Sequence, residues 1–149
     1  MKEYMVGGDA RTPVDINRLK GERLSDEGYR NANASLVTVC HDVYIELSKK
    51  PYSSSGLLLV RRKEEPAKGI YWPVGGRMLR GMTTEDSLRK KAKQEAGVDL
   101  ENITYLGVAR VFFQEDALGH GKGADEIGIN YFATGIGEIK LDFTSDDYK

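Results

Sequence analysis

The stretch from Gly75 to Val98, GGRMLRGMTTEDSLRKKAKQEAGV, concentrates residues that suit one kind of chemistry. Gly75 and Gly76 lack a Cβ, so the backbone there can approach a ligand closely. Glu95 places a carboxylate near the end of the charged helix that follows. A helix carboxylate beside backbone that can approach a ligand closely offers hard oxygen donors of the kind a magnesium ion takes. Lys91 lies four residues before Glu95, and that spacing also suits an ordinary i,i+4 ion pair. Upstream, Asp42 interrupts the apolar run from Val37 to Ile45. A lone carboxylate there needs a partner, either a backbone hydrogen bond or a substrate.

The elements around these residues follow from local physics. Thr83 or Thr84 can cap a helix, because a hydroxyl accepts first-turn N–H groups. Glu85 and Asp86 then meet the positive end of the helix dipole. Leu88, Ala92 and Ala96 make a narrow apolar stripe, and Gly97 is the expected C-terminal cap. A short helix over Leu24 to Asn33, capped by Ser25, is predicted before the first strand. Strands are expected over Leu36 to Leu47, Gly56 to Arg62, Ile103 to Phe113 and Ile127 to Thr134. In the third, Val108, Val111 and Phe112 are expected to be buried. KKPYSSSG is a turn, and Gln114 to Asp125 is a long loop of the kind that often covers active sites. Trp72, Tyr71 and Tyr52 can stack on a base or sugar, with packing as the alternative. His41 and His120 stand alone and receive no role.

The helix and its flanks resemble the Nudix box, which reads Gly, five residues, Glu, seven residues, Arg-Glu-aliphatic-x-Glu-Glu-x-Gly-aliphatic. On that frame Gly76 is the first glycine, and Glu95, Gly97 and Val98 match. Met82, Lys91 and Gln94 replace three of the four glutamates, and Lys90 replaces the arginine. The chain beyond the box resembles the GDP-mannose mannosyl hydrolases, divergent members that keep the glutamate matching Glu95. The similarity runs through LSDEGYRNA, CHDVYIEL, LLLVRR, GIYWPVGGRM, INYFATG and SDDYK, from about Leu24 to the end. It implies an α/β fold, a Nudix-like α/β/α sandwich with a mixed sheet. The final strand and closing helix of the family pattern have no counterpart before Lys149. The resemblance therefore implies an apolar sheet face that a partner subunit or the N-terminal arm would cover.

The same resemblance implies roles residue by residue. Asp42 matches an aspartate near the reacting sugar. Arg62 and Arg77 match arginines that hold the diphosphate, and guanidinium forks bind phosphate bidentately. Glu95 and the Gly75 carbonyl match metal ligands, with Mg2+ as the cofactor. Tyr131 matches a tyrosine near the substrate phosphates, although it can equally pack in a strand. Ser145 stands where the family places a general-base histidine, and Pro73-Val74 precede the glycines in place of proline alone. Asp146 or Asp147 is then the candidate replacement base. The expected activity is magnesium-dependent hydrolysis of a nucleoside-diphosphate sugar such as GDP-mannose, releasing the sugar and the nucleoside diphosphate. A binding module without turnover is the alternative from a different class. Ordinary pyrophosphate cleavage ranks third, because the metal-binding glutamates are missing.

Composition sets the remaining bounds. A chain of 149 residues is expected to form one domain over 24–149, preceded by a polar arm over 1–23. A net charge of −1 gives no broad basic surface for nucleic acid or membrane. The one cysteine, Cys40, fits a reducing cytoplasm, and no apolar stretch approaches a membrane span. A homodimer is expected.

Overall fold

The computed structural model describes residues 15–22, 24–47 and 56–149. Most of the KKPYSSSG turn, with Tyr52, lies outside the described residues, as do residues 1–14 of the polar arm. A 3-10 turn, Ile16–Leu19, precedes helix α1, Asp26–Ser35. The strands are β1 (Thr38–Glu46), β2 (Leu57–Leu58), β3 (Val60–Arg62), β4 (Tyr71–Trp72), β5 (Val74–Arg77), β6 (Asp99–Phe113), β7 (Ala124–Ile136) and β8 (Ser145–Tyr148). Helix α2, Thr84–Ala96, lies between β5 and β6.

The main sheet is mixed. Its order is β2-β1-β7-β6, and β5 also pairs with β1. β1 runs parallel to β7 and antiparallel to β2 and β5. A smaller sheet has the order β4-β3-β8. The mixed sheet and two helices have the architecture expected from the sequence.

Both helix starts are built as the sequence suggests. The Ser25 hydroxyl accepts the Gly28 N–H at 3.1 Å. Thr83, rather than Thr84, caps α2 and accepts the Asp86 N–H at 3.1 Å. Gly97 ends α2 at φ 76°, a left-handed conformation that glycine adopts without a steric penalty. Leu88, Ala92 and Ala96 are fully buried against the sheet and join Val43, Ile45, Leu58, Val74 and Val98 in the core.

Strand alternation divides the side chains of β1 between two environments. Val43 and Ile45 enter the core. His41 shares their side of the strand and meets Ser87 of α2, with Nε2 and Oγ 2.6 Å apart. Thr38, Cys40 and Asp42 alternate with them and face a cleft. The predicted strand over Gly56 to Arg62 is broken at Leu59 into β2 and β3, which belong to different sheets.

One expectation about burial fails. Val108 is 60% exposed and Phe112 is 70% exposed, while Val111 is half-buried. Among the described residues, β6 is the last strand in the sheet order and pairs only with β7. Leu106, Val108 and Phe112 therefore project from a face of this strand that no described element covers, where apolar type alone does not produce burial.

Candidate functional site

A cleft of about 360 Å³ opens beside the glycine pair. That volume falls within the range typical of small-molecule sites. Elements far apart in sequence line it. β1 contributes Thr38, Cys40 and Asp42; β3 contributes Arg62; β5 contributes Gly75, Gly76 and Arg77. α2 adds Lys91 and Glu95, β7 adds Glu126, and β8 adds the buried Ser145.

Asp42 occupies the floor. Its Oδ2 accepts the Trp72 indole N–H at 3.4 Å, and its carboxylate also accepts the Gly76 backbone N–H. Burial nevertheless dominates and pushes its pKa from 3.8 up to about 6, with Glu126 adding to the rise. β5 presses close here because Gly75 has no side chain. A Cβ on Gly75 would fall 2.2 Å from the His41 carbonyl oxygen and 2.5 Å from Asp42 Oδ1. Gly76 follows at φ 116°, a conformation open to glycine.

The cations of the cleft come from three places. Arg62 ends β3, beside Ser145 in the β3–β8 register. Its charge opposes the upward shifts of Asp42, Glu126 and Cys40. Arg77 ends β5, with its guanidinium 4.1 Å over the Tyr29 ring. Lys91 Nζ lies 3.0 Å from Glu95 Oε1, and the two side chains are only 23% and 16% exposed. Burial raises the Glu95 pKa, while Lys91 and the Gly75 backbone N–H oppose that rise.

This pair bears directly on metal binding. Magnesium takes hard oxygen ligands, usually one or two carboxylates plus substrate phosphates. Glu95 offers such an oxygen, but an ammonium already holds it. Among the described residues, no group of three or more His, Cys, Asp or Glu side chains is arranged to hold a metal ion. The donor set fits a resident divalent ion poorly.

The remaining predicted site residues lie away from the cleft. Tyr131 is 3% exposed in the core, with its ring edge-on to Tyr105 at 5.8 Å. Asp146 accepts from Arg61 Nε at 2.8 Å. Strand alternation turns that pair away from Ser145 and Arg62, which line the cleft. Asp147 accepts the Tyr71 hydroxyl at 2.6 Å. The structure thus gathers Asp42, Arg62, Gly75, Arg77 and Glu95, and leaves Tyr131, Asp146 and Asp147 outside.

Glu126 was not expected from the sequence. It falls between the predicted loop and the predicted strand, and only the parallel β1–β7 register brings it opposite Thr38. Burial raises its pKa, and it hydrogen-bonds Cys40, whose thiol is pushed up to about 12 by burial first and by the Glu126 charge second. His120 also reaches the cleft on the Gln114 to Gly123 loop. Asp116 shapes that loop by accepting the N–H groups of Leu118, His120 and Gly121.

Comparison with known proteins agrees with this architecture. A NUDIX domain model matches residues 47–148. The low-salt glycan biosynthesis protein Agl8 of Haloferax volcanii is 29% identical over 120 residues, covering 80% of this chain and 69% of that protein. The crystal structure of a MutT NUDIX hydrolase from Burkholderia pseudomallei superimposes with a TM-score of 0.59 at 19% identity, covering 77% of this chain and 82% of that one. The NUDIX domain of Shewanella oneidensis NrtR, solved in complex with ADP ribose, superimposes with a TM-score of 0.60 at 15% identity, covering 77% and 72%. At these identities the two structures establish a shared fold.

Proposed function

The chain belongs to the NUDIX domain family and carries the NUDIX hydrolase fold, and on that premise we propose that it hydrolyses a nucleoside-diphosphate sugar, with GDP-mannose as the first substrate to test. One observation carries this reading: Asp42, Arg62, Arg77 and the Gly75-Gly76 backbone, drawn from three strands, line one cleft of about 360 Å³. Two arginines suit the closely spaced charges of a diphosphate, which they bind as charged forks.

In this reading Arg62 and Arg77 hold the diphosphate, and Asp42 faces the sugar. Ionised Asp42 accepts a proton from water as the water oxygen bonds to sugar C1. The C1–O bond breaks, and its electron pair leaves with the nucleoside diphosphate, whose charge the arginines stabilise. A carboxylate with a pKa of about 6 is better matched to this task at neutral pH than an ordinary aspartate. Magnesium, where it takes part, would have Glu95 and the Gly75 carbonyl as protein ligands. It would have to displace the Lys91 ammonium, and no step above depends on it.

Product analysis after incubation with GDP-mannose tests the proposal. Free mannose plus GDP supports it, and GMP plus sugar phosphate indicates pyrophosphate cleavage instead. Binding without any product supports the alternative, a nucleotide-binding module. Ser145 at the position of the family histidine, and the outward turn of Asp146, are the observations that favour that alternative. The exposed apolar residues of β6 support a homodimer, testable by light scattering. The single cysteine supports a cytoplasmic location.

A further inference from the structure

We propose that the Lys91 ammonium serves in this cleft as a built-in replacement for a divalent cation, so that the chain binds a nucleoside diphosphate without metal. The inference rests on the diphosphate reading above and specifies how that charge is met.

Three observations place the ammonium where a phosphate-facing cation is needed. Lys91 and Glu95 both line the cleft beside the glycine pair. Lys91 Nζ lies 4.0 Å from where a Gly76 Cβ would stand, so the ammonium sits against the stretch of backbone that has no side chain to shield a ligand from it. The carboxylate that would otherwise hold a metal is engaged twice, by Lys91 at 3.0 Å and by the Gly75 N–H.

The chemistry follows from the size and charge of the two cations. An ammonium is a compact charge with three donors. One donor serves Glu95, and the others can turn to phosphate oxygens. A magnesium ion on Glu95 would need to sit about 2 Å from a carboxylate oxygen. With Nζ already 3.0 Å from that oxygen, the two cations would be held in close mutual repulsion. Metal entry therefore requires Lys91 to leave, whereas phosphate entry only requires it to share its donors. Position 91 is also where the family frame has a carboxylate, so one substitution removes a ligand and supplies a cation.

Calorimetric titration of the full chain with GDP, in EDTA and in excess magnesium, tests this. The expected result is binding in EDTA that magnesium does not strengthen. Lys91→Ala should weaken the EDTA binding by roughly 10- to 100-fold, the loss expected for one charge-assisted hydrogen bond. Lys91→Arg should retain binding in EDTA, which separates charge from a folding defect in the alanine variant. Lys91→Glu should abolish binding in EDTA and restore it in magnesium, because the introduced carboxylate joins Glu95 as a ligand. Binding by the wild-type chain only in magnesium would overturn the metal-free inference and leave the substrate reading standing. An absence of GDP binding in both buffers would overturn both.

Discussion

Replacing Asp42 by Asn should make this protein more stable and less active, and the stability gain should appear only above mildly acidic pH. The carboxyl titrates near pH 6 in the fold against 3.8 for the free side chain. A folded-state value raised above the unfolded one means that the folded chain keeps a proton the unfolded chain releases. Below about pH 4 the group is neutral in both states and costs nothing. Between about pH 4 and 6 the cost grows, and above that it is constant. The gap between 3.8 and about 6 corresponds to about 3 kcal/mol at roughly 1.4 kcal/mol per pH unit. Asn keeps one acceptor for the Trp72 and Gly76 N–H donors and turns an amide toward the other, which gives back about 1 kcal/mol. A net gain of about 1–2 kcal/mol is expected at pH 8, fading to a slight loss at pH 4. Urea denaturation of both proteins across that range measures it. Turnover of GDP-mannose should fall by about 10²–10⁴-fold, the usual contribution of a general base. A stability difference that does not change with pH, or an Asn variant less stable at pH 8, would refute the assignment of burial as the cause of the shift.

Arg62→Ala and Arg77→Ala should each weaken GDP binding by about 1.5–3 kcal/mol in calorimetry, as for hydrogen bonds to charged groups. Lys90→Ala, exposed on α2, should leave it unchanged. Gly75→Ala should destabilise the fold by about 1–3 kcal/mol or more in thermal denaturation, because its Cβ would collide with the His41 carbonyl and the Asp42 carboxylate. Asp146→Asn removes an ion pair whose side chains are 40% and 46% exposed, so stability should change by less than about 1 kcal/mol and turnover should not change. Ser145→His places an imidazole in the cleft lining beside Arg62. Burial and the Arg62 charge both lower the pKa of an imidazole there, so any turnover should gain a new limb below about pH 6.5 in the rate profile, with Asp42 still the main base.

Much of what the sequence determined is local. The caps at Ser25 and Thr83, the Leu88-Ala92-Ala96 stripe and the glycine stop at Gly97 depend on residues within a few turns of one another. The Lys91–Glu95 pair is equally local, since four-residue spacing on a helix brings two side chains together. The glycine pair signalled a close backbone approach before any partner strand was known. Family resemblance supplied Asp42, Arg62 and Arg77, and the fold brings them to one cleft.

Tertiary structure decided what depends on register and coverage. Val108 and Phe112 have core chemistry but are exposed on β6, which among the described residues pairs with β7 alone, and nothing within β6 encodes which face its neighbours cover. Tyr131 is polar enough for a site, yet the parallel β1–β7 pairing turns it into the core and turns Glu126 toward the cleft. Asp146 and Ser145 are adjacent in sequence but project to opposite sides of β8, and only the pairing of Ser145 with Arg62 fixes which of them reaches the cleft. In a strand the side-chain period is two residues, so a shift of one residue exchanges every inward and outward position. That choice is made by hydrogen bonds to strands distant in sequence, which is why local pattern and family resemblance named candidate residues and the pairing of strands selected which of them reach the cleft.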